Sequence, residues 1–111
     1  MLEELKKDAT VRMQKCVQLF RDHLKKLRTG RAHTSLIEHI KVVKSEAENA
    51  RVAVRGVRRE VMNELKEMLK EKLIAQDDDR RAQDEVQKLT DKHVAEIDQA
   101  MAEKEKELMQ V

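Results

Sequence analysis

The chain has 111 residues, no proline, two glycines, no tyrosine or tryptophan and one phenylalanine; 41% of it is charged, yet the net charge is only +2. One domain is expected at this length, with about 65% of the unfolded surface hidden on folding, enough for a single core. The strong helix formers Ala, Leu, Glu, Lys, Gln, Arg and Met dominate, and periodic apolar positions with a small net charge exclude a disordered polyelectrolyte.

The first helix is expected over 3–29. Leu5, Ala9, Met13, Cys16, Phe20, Leu24 and Leu27 recur at steps of three and four and form one apolar face. Gly30 suits a left-handed cap after the last turn, and Arg28 complements the helix dipole there. Ser35 and Glu38 then form a capping box, in which hydroxyl and carboxylate each satisfy a free backbone N–H. It opens a second helix over 35–73 with the stripe Val43, Ala47, Ala50, Val54, Val57, Val61, Leu65 and Met68. Gly56 lies inside this helix at a cost of about 1 kcal/mol relative to alanine. A break is expected at Ala75-Gln76-Asp77-Asp78-Asp79, whose aspartates favour a helix N-terminus. The third helix is expected over 79–109 with the stripe Ala82, Val86, Leu89, His93, Ile97, Ala100, Lys104 and Leu108; at Lys104 an apolar stem with an exposed head is the expected solution. Short connections make neighbouring helices antiparallel. The fold class expected is therefore all-α, an up-down-up three-helix bundle forming a rod of roughly 40–55 Å.

Charge is distributed unevenly. Residues 1–75 carry 18 Lys/Arg against 11 Asp/Glu, and residues 76–111 carry 6 against 11. A polyanion would meet the first two-thirds of the chain. Within Arg51-Val52-Ala53-Val54-Arg55-Gly56-Val57-Arg58-Arg59, the residues Arg51, Arg55 and Arg58 share a helix face about 100° from the core stripe. Arg21, Lys25 and Arg28 form a second row on the first helix, with Arg31 just beyond. A phosphate-binding surface from both rows is one reading, because guanidinium matches phosphate geometry. A solvated face laced with salt bridges is the other. Glu48 can pair with Arg51, but no acid precedes Arg55 or Arg58 by three or four residues, which favours an external anion. Without aromatic platforms, backbone and shape recognition of structured RNA is expected rather than base reading.

Other chemistries find little support. His23, His33, His39 and His93 lack metal-ligand spacing. Cys16 reads as a small core residue with only Arg12 near enough to activate it. The aspartate run has no EF-hand pattern. No phosphate loop, nucleophile elbow or carboxylate pair is present, so neither an enzyme nor a cofactor or metal is expected. A lone cysteine, no apolar run of about 20 residues and no signal peptide at Met1-Leu2-Glu3-Glu4 together lead to the expectation of a cytoplasmic protein away from membranes.

Five segments carry a resemblance. They are Lys7-Asp8-Ala9 with Arg12-Met13; Leu27-Arg28-Thr29-Gly30-Arg31-Ala32; Glu46-Ala47-Glu48-Asn49-Ala50-Arg51-Val52-Ala53-Val54-Arg55 with Val57-Arg58-Arg59; Asp77-Asp78-Asp79-Arg80-Arg81; and Val86-Gln87-Lys88-Leu89-Thr90-Asp91. In this order they closely resemble the bacterial ribosome recycling factor family over nearly the whole chain. The resemblance implies a three-helix domain I that binds large-subunit ribosomal RNA. It also implies a β-rich domain II inserted between the first two helices, and cooperation with elongation factor G in splitting the post-termination ribosome. It places the important arginines at Arg28, Arg31, Arg55, Arg58 and Arg59, with Arg58 foremost; Arg51 joins them from the row above. Domain II is expected at the junction of Ile40 and Lys41, where the sequence runs straight on, so binding is expected to survive and splitting to be impaired. A monomer is expected. The competing reading is an engineered or structural bundle that serves as a scaffold or oligomer.

Overall fold

Apolar residues at steps of three and four can be buried only if helices lie side by side, and the computed structural model shows this arrangement. It describes residues 2–27 and 36–109. Three helices follow in order: α1 (Leu2–Lys26), α2 (Leu36–Lys70) and α3 (Gln76–Met109). Cross-helix partners fix their directions. Arg12 meets Glu60 while His23 meets Glu46, so α1 and α2 run antiparallel. Arg51 meets Asp98 while Arg58 meets Gln87, so α2 and α3 do as well. Lys6 meets Glu85 and Lys104 meets Leu27, so α1 and α3 are parallel. The result is an up-down-up bundle measuring 60 × 18 × 16 Å.

The core is a column of small and medium side chains. Ala9, Met13, Val17, Phe20 and Leu24 of α1 meet Val43, Ala47, Ala50, Val54, Val57, Val61 and Leu65 of α2. Ala82, Val86, Ile97, Ala100 and Leu108 of α3 complete it. The expected α2 stripe is buried except at Met68, which is half-buried. Leu5, Cys16, Leu27 and Leu89 sit half-buried at the margins. Val17, Thr90 and Asp79 are buried although they lie off the expected stripes. Each helix touches two neighbours, which widens its buried face beyond one line of residues. Thr90 is satisfied by donating to the Val86 carbonyl at 2.9 Å, and buried His93 bonds through Nδ1 to the Leu89 carbonyl at 2.7 Å, which requires Nδ1 to carry the proton.

Three expectations are corrected. The break between α2 and α3 occupies residues 71–75 instead of Ala75–Asp79. Lys72 adopts φ 62°, its N–H bonds the Leu69 carbonyl at 3.0 Å, and the N–H of Leu73 bonds the Met68 carbonyl at 2.9 Å. This is a Schellman termination built without glycine. It ends α2 before Leu73. The N–H of Asp79 bonds Ala75 O at 3.0 Å, so Ala75 is the N-cap and the three aspartates lie in the first turn of α3, where the dipole favours them. Second, α1 ends at Lys26, earlier than expected, with its last turn tightened by a Leu27 N to Leu24 O bond at 3.1 Å. Third, Lys104 does not extend its head into solvent. It is 7% exposed, and its ammonium donates to the Leu27 carbonyl at 3.0 Å, beside Glu107 at 3.6 Å. The free carbonyls at the end of α1 make this inward position favourable. Gly30 and Ser35, assigned caps above, lie outside the described residues, as do Arg28 and Arg31.

Candidate nucleic-acid interface

The arginine row of α2 lies along the seam with α3. Helical phase dictates this: Arg51, Arg55 and Arg58 each follow a buried residue of the stripe by one position, turning about 100° toward α3. Arg51 is the innermost, its side chain 17% exposed. Its Nε donates to Asp98 Oδ1 at 2.8 Å, its Nη2 approaches the same oxygen at 2.7 Å, and its Nη1 donates to Glu48 at 3.1 Å. Burial opposes the charge on Arg51, but Asp98 and Glu48 outweigh it and hold the guanidinium above its ordinary pKa. Arg51 thus ties α2 to α3 with its donors occupied. Asp98 comes from another helix, so no inspection of α2 alone would find it.

Past Arg51 the row becomes freer. Arg55 is exposed and has only a long pairing to Glu48 at 3.7 Å. Arg58 is half-buried and donates through Nη1 to the Oε1 of Gln87 at 3.3 Å. Arg59 is exposed. Arg58 and Arg59 open into a groove of about 680 Å³ between α2 and α3, lined also by Met62, Asn63, Lys66, Gln83 and Gln87. Asp79 closes one end. It is 8% exposed; its Oδ2 accepts from Gln83 at 2.8 Å, while its Oδ1 has no partner. Three cations therefore face the groove from α2, while α3 presents mainly amides. Such a surface can receive phosphate oxygens through charge-assisted bonds along a backbone.

Lys66 belongs to this groove and was not singled out from the sequence. It lies eleven residues past Arg55, and three helical turns bring it back to almost the same face. That spacing is the signal that would have found it.

Arg21 and Lys25 of the first basic row do not line this groove. The α1/α2 seam is lined by Cys16, Leu19, Phe20 and His23 against Glu46, Asn49, Ala50 and Ala53. Arg21, one position past Phe20, turns away from that seam, and it and Lys25 are exposed. Phase puts the α2 arginines on the other flank of α2, so Arg21 and Lys25 stand apart from the α2/α3 groove. Cys16 stays half-buried; burial raises its thiol pKa and nearby Arg12 only partly opposes this. Among the described residues no group of three or more His, Cys, Asp or Glu is placed to hold a metal, and no helix is long and apolar enough to cross a membrane.

A family model described as ribosome recycling factor matches residues 39–109. The ribosome-recycling factor of Thioalkalivibrio sulfidiphilus is 36% identical over 185 positions, covering 100% of both chains. That of Cupriavidus taiwanensis is 34% identical over 182 positions, covering 97% of this chain and 98% of the relative, and that of Chromobacterium violaceum is 34% identical over 185 positions, again covering 100% of both. One chain in the crystal structure of EED in complex with EB22 superposes with a TM-score of 0.84 at 28% identity, covering 98% of this chain and 99% of the other.

Proposed function

The chain belongs to the ribosome recycling factor family, and on that premise we propose that it binds large-subunit ribosomal RNA through the α2/α3 groove. The family acts on the ribosome in translation and is not a family of enzymes. Arg55, Arg58, Arg59 and Lys66 contact phosphates in this reading. Arg51 braces the groove from its pairing with Asp98. Arg28 and Arg31, outside the described residues, are assigned RNA contacts on the strength of the family resemblance alone. The observation that carries the proposal is the groove itself: Arg58, Arg59 and Lys66 converge on one open channel with no carboxylate bonded to any of them among the described residues.

Binding to large ribosomal subunits, measured by pelleting, tests it. Four neutralised phosphates predict a log–log salt slope of about −3 to −4, and Arg58→Ala should weaken binding further. Salt-insensitive pelleting, or full binding by Arg58→Ala, would remove this reading.

The splitting activity stands differently. The alignment to the Thioalkalivibrio relative spans 185 positions, whereas this chain has 111 residues, and no strand occurs among the described residues. Both support the absence of the inserted domain II at the 40/41 junction. The chain then occupies the subunit as a monomer but is impaired in splitting ribosomes with elongation factor G. Efficient splitting by this chain would reject that part alone.

A second reading, a scaffold that engages a protein partner or a second copy, is favoured by the solved complex in which a chain of this shape occurs. Sedimentation distinguishes them: self-association that grows with concentration supports the scaffold or oligomer.

A further inference from the structure

The groove holds a short relay that the arginine row alone would not reveal. Gln87 is half-buried on α3. Its Nε2 donates to Asp91 Oδ1 at 3.0 Å, and its Oε1 accepts from Arg58 Nη1 at 3.3 Å. A carboxylate can only accept, so Asp91 fixes which end of the amide faces which way. The carbonyl end must then face Arg58. Gln83, one turn earlier, is held in the same manner by Asp79, and both glutamines line the groove.

We propose that Gln87, oriented by Asp91, is a positioning residue that aims the Arg58 guanidinium into the groove. The inference rests on the RNA-binding reading above and names how that site is prepared for its ligand. An arginine free in solution must surrender rotamer freedom when it meets a phosphate; one already held by a second donor–acceptor bond surrenders less. One Nη of Arg58 is engaged by Gln87, and the rest of its donors remain for the ligand. The holder is also neutral. A glutamate at position 87 could also accept from Arg58, but it would lose the bond to Asp91, repel that carboxylate and cancel the charge that attracts phosphate. Asp91 does carry charge, but it stands one residue further from the cation and is spent on the amide. The relay thus orders the arginine while leaving the positive field of the groove intact.

A double-mutant cycle on subunit pelleting tests the proposal, with Arg58→Ala, Gln87→Leu and the pair measured at one fixed salt concentration. Gln87→Leu should weaken binding about fivefold in the parent chain, the net worth of one ordinary hydrogen bond, and should change nothing once Arg58 is alanine. Equal weakening in both backgrounds overturns the relay while leaving the RNA reading standing. No effect of Arg58→Ala overturns the RNA reading and the relay with it. Nitrogen-15 NMR of the Arg58 Nη–H groups gives a check that helix stability does not move: the bonded Nη1 should give a signal distinct from Nη2 in the parent chain, and the two should be averaged in Gln87→Leu. An unchanged signal overturns the relay. Gln87→Glu should weaken binding, because the added charge offsets Arg58; unchanged binding there also counts against it.

Discussion

Lys104 on α3 donates through its ammonium to the carbonyl of Leu27 at 3.0 Å, so the penultimate turn of one helix seals the end of another. The bond satisfies an acceptor that α1 cannot satisfy itself, and it places a cation at the negative end of the helix dipole. Lys104→Ala removes both the bond and a buried stem and should cost about 2 kcal/mol in urea unfolding. Lys104→Met retains the stem and should cost less. Equal losses would show that the ammonium, not the packing of the stem, matters there.

Two backbone positions invite opposite exchanges. Lys72 holds a left-handed φ of 62°, which costs a side-chain-bearing residue about 1 kcal/mol, so Lys72→Gly should raise the unfolding midpoint. Gly56 sits mid-helix with nothing within 4 Å of an added Cβ; Gly56→Ala should stabilise by about 0.5–1 kcal/mol. Thermal unfolding reads both.

Arg51 and Lys66 should behave differently when removed. Arg51→Ala breaks the tie to Asp98 and should cost about 1 kcal/mol of stability, while Asp98→Ala should cost no more once Arg51 is gone. Lys66→Ala should leave stability nearly unchanged and make the salt slope of subunit binding shallower by about 1.

The Cys16 thiol is held above its ordinary pKa by burial, against the pull of Arg12. Its thiolate is the reactive form, so iodoacetamide at mildly alkaline pH should label the native chain more slowly than the chain in urea. The sign for stability follows. A folded-state value above the unfolded one favours the native state fully below the unfolded thiol pKa, and that advantage fades as pH climbs through the folded value. Cys16→Ser should abolish this alkaline decline.

Much of the fold was legible because valine and alanine recur on α2 with no competing pattern: spacing alone places Val43 through Leu65 on one face. What was not legible depended on partners from other helices. Asp98 neutralises Arg51 from across a seam, and Leu27 draws Lys104 inward; neither is encoded in local spacing. The end of α2 was missed because a lysine occupies the place where glycine would announce a stop. The site was half legible. The phase of Arg55 and Arg58 located the flank, but the choice between α1 and α3 as neighbour required the bundle, and with it came Lys66 and Gln87.

Cross-helix pairs, Arg12 with Glu60 and His23 with Glu46, set the register of α1 against α2 along their lengths. The alignment of the two helices is therefore written along their shared flank and not at their ends. A bundle clamped in this way along its shaft keeps its core in register when a helix end frays.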